Sequence, residues 1–175
     1  DRTNESRKLV RVQARIEDKE LKDIIPIHPY AALLLKYIST AFDSNQRSMF
    51  DFIKNDRGEE IRGFQWFIDN YGADDDNPLL TVDMLWDFFY EKGKDYLAHD
   101  IRTVLDTYTL AQAKIAPQST LVLKENVKQQ DNAKQRVLKT VLLLQAISIN
   151  TGNTVPLFIP NERNINNAFE GSDLD

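Results

Sequence analysis

The chain has 175 residues, of which 42% are hydrophobic, and carries 22 Lys and Arg against 27 Asp and Glu, a net charge of −5. A chain of this length and composition can bury its own core, which excludes a disordered protein and a fold that depends on disulfides or a structural metal. Because Cys is absent, thiolate zinc sites and Cys nucleophiles are excluded as well.

The first half of the chain has the apolar periodicity of helices. A stripe at i, i+3, i+4, i+7 and i+8 runs over residues 30–42, and Pro29 stands where a missing N–H costs a helix nothing. Ser44 can cap the next helix, and a third stripe covers residues 61–71 before Gly72 ends it. In the second of these helices we expect three side chains to face the core: Met49, Phe50 and Ile53.

The second half continues the helical pattern. Thr81 is placed to cap a helix over residues 82–90. The longest helix is predicted over residues 125–148, with Gly152 just beyond its end. Asn161 can cap a last short helix.

These patterns predict an all-α fold, a multi-helix bundle of about eight helices with at most a token of strand. The softest boundary lies near residues 116–120. We therefore predict a lid-like helical bundle over residues 1–116 and a smaller C-terminal helical lobe over residues 117–175 packed on it. A winged-helix-like form is one option for that lobe.

The hydropathy of the sequence and its first residues predict where the protein is located in the cell. No run reaches the roughly 18 apolar residues that a membrane span requires, so we predict no membrane partner. The chain opens without Met and without a basic-then-apolar leader. From this we expect a cytoplasmic piece of a longer polypeptide.

No segment of the sequence carries a recognised catalytic motif. Neither His28 nor His99 has further ligands at the spacing that a metal site requires, and residues 74–76 lack the alternating ligands of an EF-hand. The pair Gly93-Lys94 lacks the first glycine of a P-loop. We therefore predict that this chain is not an enzyme and has no cofactor of its own.

The charges are unevenly distributed. Residues 74–100 carry eight acids against two lysines, whereas residues 124–139 are net basic. Such segregation favours weak steering or docking between parts of a protein. The alternative is a nucleic-acid-binding helical module, although acids surround the C-terminal candidates and would repel phosphates. The residues predicted to contact nucleic acid in that case are Lys128, Lys134, Arg136, Arg163 and Asn166.

Two motifs follow each other in residues 26–53. Pro26-Ile27-His28-Pro29 opens one predicted helix, and Asn45-Gln46-Arg47-Ser48-Met49-Phe50-Asp51-Phe52-Ile53 forms the next. This segment resembles large bacterial P-loop ATPases of the AAA+ and STAND-like type, in which a Pro-Leu-His-Pro-type turn precedes a Gln-Asn-x-Arg-Ser-Leu-Phe-x-Phe-Leu-like helix. Here Ser44-Asn45-Gln46-Arg47 departs from the Gln-Asn-x-Arg form. Residues 137–147 are more weakly similar to the helix that begins a winged-helix-like lobe in such proteins.

The resemblance implies a non-catalytic lid or signal-transmitting region that follows the nucleotide-binding core of an ATPase. Several such ATPases resemble components of bacterial defence or DNA-transaction systems. ATP and Mg²⁺ would then belong to the parent protein, and the partners of this chain would be the nucleotide-binding core of the same polypeptide and other protein subunits. Arg47 is the nucleotide-sensing candidate, because a guanidinium on a lid helix suits a phosphate; the alternative is an ordinary i, i+4 pair with Asp51. A plain protein-interaction domain is the third interpretation.

Overall fold

The computed structural model describes residues 2–41, 49–54, 62–71, 79–91, 103, 106–111, 114 and 124–175. The all-α prediction is confirmed, since the only β contact within these segments is an isolated parallel bridge between Ile27 and Leu80. The helices are α1 (Asn4–Ala14), α2 (Asp18–Asp23), α3 (Pro29–Ala41), α4 (Met49–Lys54), α5 (Phe64–Asn70), α6 (Val82–Trp86) continued by a π-helical turn (Asp87–Glu91), α7 (106–111), α8 (Lys124–Asn150), a 3-10 turn (Pro156–Phe158) and α9 (Glu162–Phe169).

Helix α3 lies at the centre of the described fold. Its side chains Tyr30, Leu34 and Ile38 are fully buried, and helices α1, α6, α8 and α9 all pack against it. Helix α8 packs against both α3 and α6, and its side chains Leu144 and Ile147 are buried in the core. Burial of these apolar side chains is the main stabilising contribution to the bundle.

The isolated bridge places the start of α3 beside the start of α6. The N–H of His28 donates to the carbonyl of Leu80 at 3.0 Å, and the N–H of Leu80 donates to the carbonyl of Pro26 at 2.9 Å. The N–H and carbonyl groups in these bonds lie before the first turns of α3 and α6. Hydrogen bonds within a helix cannot satisfy them there. The Pro-Ile-His-Pro segment is thereby fixed, with His28 and Pro29 buried and Pro26 and Ile27 half-buried.

Several predicted helix ends are confirmed. Helix α3 begins at Pro29, and Gly152 follows α8 with a φ of +61°, a left-handed conformation that costs glycine little. The Asn161 side chain accepts a hydrogen bond from the N–H of Asn164 at 2.9 Å and so caps α9. Neither α1 nor α2 was predicted, because no apolar stripe was recognised in their sequences.

The predicted boundary near residues 116–120 lies outside the described residues. On its two sides, Val10, Leu34, Ile147 and Ala168 belong to one buried cluster. Residues 124–175 are helices and turns without a strand, so this segment has no β-wing of the winged-helix form. Among the helices that the structure describes, none has the length and hydropathy needed to cross a membrane.

Candidate functional site

His28, the histidine of the first motif, is completely buried at the start of α3. Its Nδ1 lies 3.1 Å from the N–H of Tyr30, and its Nε2 lies 3.1 Å from the carbonyl oxygen of Glu170. These partners assign the proton of the neutral ring to Nε2, because Nδ1 accepts from an N–H while Nε2 faces a carbonyl. Both ring nitrogens are therefore engaged by the backbone.

Burial lowers the pKa of His28 to about 4, against the smaller opposing effect of the hydrogen bond to Glu170. The imidazole is thus neutral at physiological pH and closed off from solvent. Among the residues that the structure describes, no group of His, Asp and Glu side chains could hold a metal ion. His99 and residues 74–76, the other candidates considered for metal binding, lie outside the described residues.

Tyr30 and Asn164 continue this polar junction between α3 and α9. The hydroxyl of Tyr30 donates to Oδ1 of Asn164 at 3.1 Å, and burial raises the pKa of Tyr30 to about 12. The amide nitrogen of Asn164 donates to the carbonyls of Pro156 and Ile159 at 2.9 and 2.8 Å. With its partners satisfied, this network positions α9 rather than offering groups to a ligand.

Helix α4, the second half of the motif segment, presents apolar side chains to solvent. The prediction that Met49, Phe50 and Ile53 face the core is wrong: all three are exposed, and Phe50 retains 68% of its accessible surface. The core-facing side chain is Phe52, which is 1% exposed and whose ring lies 5.2 Å from that of Phe88. A helix of six residues can turn only one narrow face inward, and here the aromatic cluster selects Phe52.

Arg136, predicted as a nucleic-acid contact, is bound instead by carboxylates of the same chain. Its Nε donates to Asp83 at 2.7 Å, and its two terminal nitrogens donate to Asp173 at 2.6 Å and to the Thr81 hydroxyl at 3.3 Å. Burial by itself would lower the pKa of Arg136, but the charges of Asp83 and Asp173 outweigh it and raise the pKa. The guanidinium therefore joins α8 to the start of α6 and to the C-terminal residues.

Thr81 stands at the N-terminal cap position of α6, as predicted, but its side chain makes no capping bond. Its hydroxyl donates to Oδ1 of Asp83 at 2.6 Å. One turn further along the same pair of helices, Lys139 forms an ion pair with Asp87. Two ion pairs thus connect the acidic middle of the sequence to its basic stretch.

The other residues predicted to contact nucleic acid lie on two different helices, α8 and α9. Lys134 is exposed on α8, and Lys128 lies in the same helix. Arg163 and Asn166 are exposed on α9, where Arg163 lies 3.4 Å from the carboxylate of Glu5. Of the candidates whose side chains are described, Arg163 faces Glu5 and Arg136 faces Asp83 and Asp173, so both cations already have acids of this chain as partners. Arg47 lies outside the described residues.

Glu170 has a central place that sequence reasoning missed. Its carboxylate accepts the backbone N–H groups of Glu5 and Ser6 at 3.0 and 2.6 Å and so caps α1, while its carbonyl faces His28. Burial alone would raise the pKa of Glu170, but these hydrogen bonds lower it. No local pattern signals a cap contributed by a residue more than 160 positions away.

Comparison of the chain with protein-family models, with curated proteins and with solved structures gave no significant match in any of the three.

Proposed function

We propose that this chain is a non-catalytic helical lid or signal-transmitting module of a larger, cytoplasmic bacterial P-loop ATPase. Its partner is the nucleotide-binding core of the same polypeptide, which supplies the ATP and Mg²⁺ site. The support comes from the resemblance of residues 26–53 and from how the two motifs of that segment are used. The first motif places His28 and Pro29 in the interior, and the described part of the second has exposed apolar side chains at Met49, Phe50 and Ile53.

The exposed face of α4 is the observation that carries the proposal. Three of its six residues are large apolar side chains that keep 39–68% of their surface exposed, while Phe52 is the buried residue of the helix. Covering such side chains is worth roughly 1.5–3 kcal/mol each for full burial, so the face favours docking. Its position within the segment that resembles the ATPases argues that the nucleotide-binding core is what covers it.

Arg47 precedes this face by two positions in the sequence. In the proposed function its guanidinium contacts a phosphate of the nucleotide bound to the docked core. Replacing it by Ala in the complete polypeptide should weaken ATP binding at least about tenfold, a loss of about 1.4 kcal/mol. The matched control is Lys54→Ala at the last residue of α4; equal effects of the two changes would contradict a specific role of Arg47.

The class of protein is tested by the coding sequence and by ATP turnover. The reading frame should encode a P-loop on the N-terminal side of Asp1. The purified 175-residue chain should show no ATP hydrolysis above that of a mock purification. A frame without a P-loop, or enzyme-like turnover by this chain alone, contradicts the proposal.

A further inference from the structure

The residues after α9 form a strap, Glu170–Asp175, that connects the bundle to α1. At one end, the Glu170 carboxylate caps α1 through the N–H groups of Glu5 and Ser6. At the other, Asp173 accepts a hydrogen bond from Arg136 on α8 at 2.6 Å. The strap thus bridges α1 and α8.

Gly171 brings the strap into close contact with the start of the chain. Its φ is +76°, and a Cβ at this position would lie 2.6 Å from both Cβ and the carbonyl oxygen of Arg2. Only glycine fits this approach without displacing backbone. The strap and the residue before α1 are therefore packed against each other directly.

Helix α1 has few fully buried apolar side chains, although Ala14 also packs against the core. Its buried residues are Ser6, Arg7 and Val10, of which Val10 alone is apolar, and Val12 is 78% exposed. Arg7 is bound to Asp18 of α2 at 3.0 Å, which ties α1 to another peripheral helix. An element with few buried apolar side chains is the kind that opens locally while the rest of a protein stays folded.

We propose that the strap is a releasable latch for α1. When the contacts of Glu170 and Asp173 break, α1 leaves the bundle as a unit and the core of α3, α6 and α8 remains folded. The latch gives the chain a closed and an open state and couples its C-terminal residues to its N-terminal helix. It does not depend on the proposed ATPase role, because it is a property of this chain alone.

Hydrogen exchange on the purified chain tests the latch, with Glu170→Gln as the first variant. Gln keeps the size of the side chain and removes the charge that caps α1. We expect the amides of residues 8–14 to exchange about tenfold faster or more, while those of residues 138–147 in α8 change by less than about twofold. The control is Glu162→Gln, the same chemical change at an exposed position in the first turn of α9, which should leave both segments unchanged.

Asp173→Asn provides a second variant, since this side chain is 52% exposed and Arg136 keeps its other carboxylate partner, Asp83. It should produce the same pattern with a smaller factor, and it carries the test if Glu170→Gln does not fold. The latch is overturned if α1 exchange is unchanged in the folded variants. It is equally overturned if α1 and α8 accelerate by the same factor, because α1 would then open only with the whole molecule.

Discussion

The imidazole of His28 is held where a positive charge is costly. Burial lowers the pKa of His28 to about 4, because it outweighs the hydrogen bond to Glu170 and the charges of Glu170 and Asp175, which favour protonation. Protonation would also leave Nδ1 unable to accept the hydrogen bond from Tyr30. Folding is therefore linked to the neutral form of this ring.

We predict a pH dependence of stability from this linkage. An unfolded His has a pKa near 6.5, so between pH 6.5 and 4 the unfolded chain binds more protons than the folded one, and the free energy of unfolding falls as the pH decreases. The loss should approach about 3 kcal/mol at pH 4. Urea unfolding at several pH values measures it.

His28→Asn is the control for that measurement. Its amide oxygen can accept the N–H of Tyr30, but it cannot take up a proton. The variant should lose most of the pH dependence between 6.5 and 4. The same slope in both proteins would show that another group is responsible.

Arg136 is a second residue whose environment decides its role. Its side chain is 14% exposed and that of its partner Asp83 is 6% exposed. Arg136→Met should lower the free energy of unfolding by about 3 kcal/mol or more, because it leaves the Asp83 carboxylate buried without its cation. Lys134→Met, two positions away and exposed, should change it by less than about 0.5 kcal/mol. Equal urea midpoints for the two variants would contradict the assigned role.

At the scale of an element, α4 separates a buried from an exposed phenylalanine two positions apart. Phe52→Ala should cost about 3–5 kcal/mol, because the ring leaves a cavity among the aromatic side chains around it. Phe50→Ala should change the free energy of unfolding by less than about 0.5 kcal/mol. Chemical denaturation of the two variants compares them directly, and a large loss for Phe50→Ala would place that ring in the core.

Helical periodicity predicted α3, α8 and α9 well because each has a long or strongly amphipathic apolar stripe or a clear cap. For α4 it predicted the wrong inward face. Its side chains Met49, Phe50, Phe52 and Ile53 are all apolar, so tertiary packing decides which face of this short helix is buried. Periodicity missed α1 because Val10 is the one apolar side chain among the buried residues of that helix, beside Ser6 and Arg7. The polar junction at His28 and Glu170 was unpredictable because the two residues are 142 positions apart.

Across the whole molecule, ion pairs between helices explain part of the uneven charge distribution. The acidic middle and the basic stretch meet where α6 and its π-helical turn face α8, through Asp83 with Arg136 and Asp87 with Lys139. The sequence led us to expect docking between parts of the chain. These two ion pairs account for four of the charges in that way. Arg136 is consequently less available to an external phosphate than its place in a basic segment suggested.

The docking that we propose for α4 on a nucleotide-binding core can be tested by ATP turnover in the complete polypeptide. Phe50→Ser should change the turnover rate about fivefold or more, the size expected when a coupling of about 1 kcal/mol is lost. Val12→Ser, at a still more exposed apolar position on α1, should leave the rate unchanged. Equal rates for the wild type and both variants would contradict the claim that the α4 face communicates with the nucleotide site.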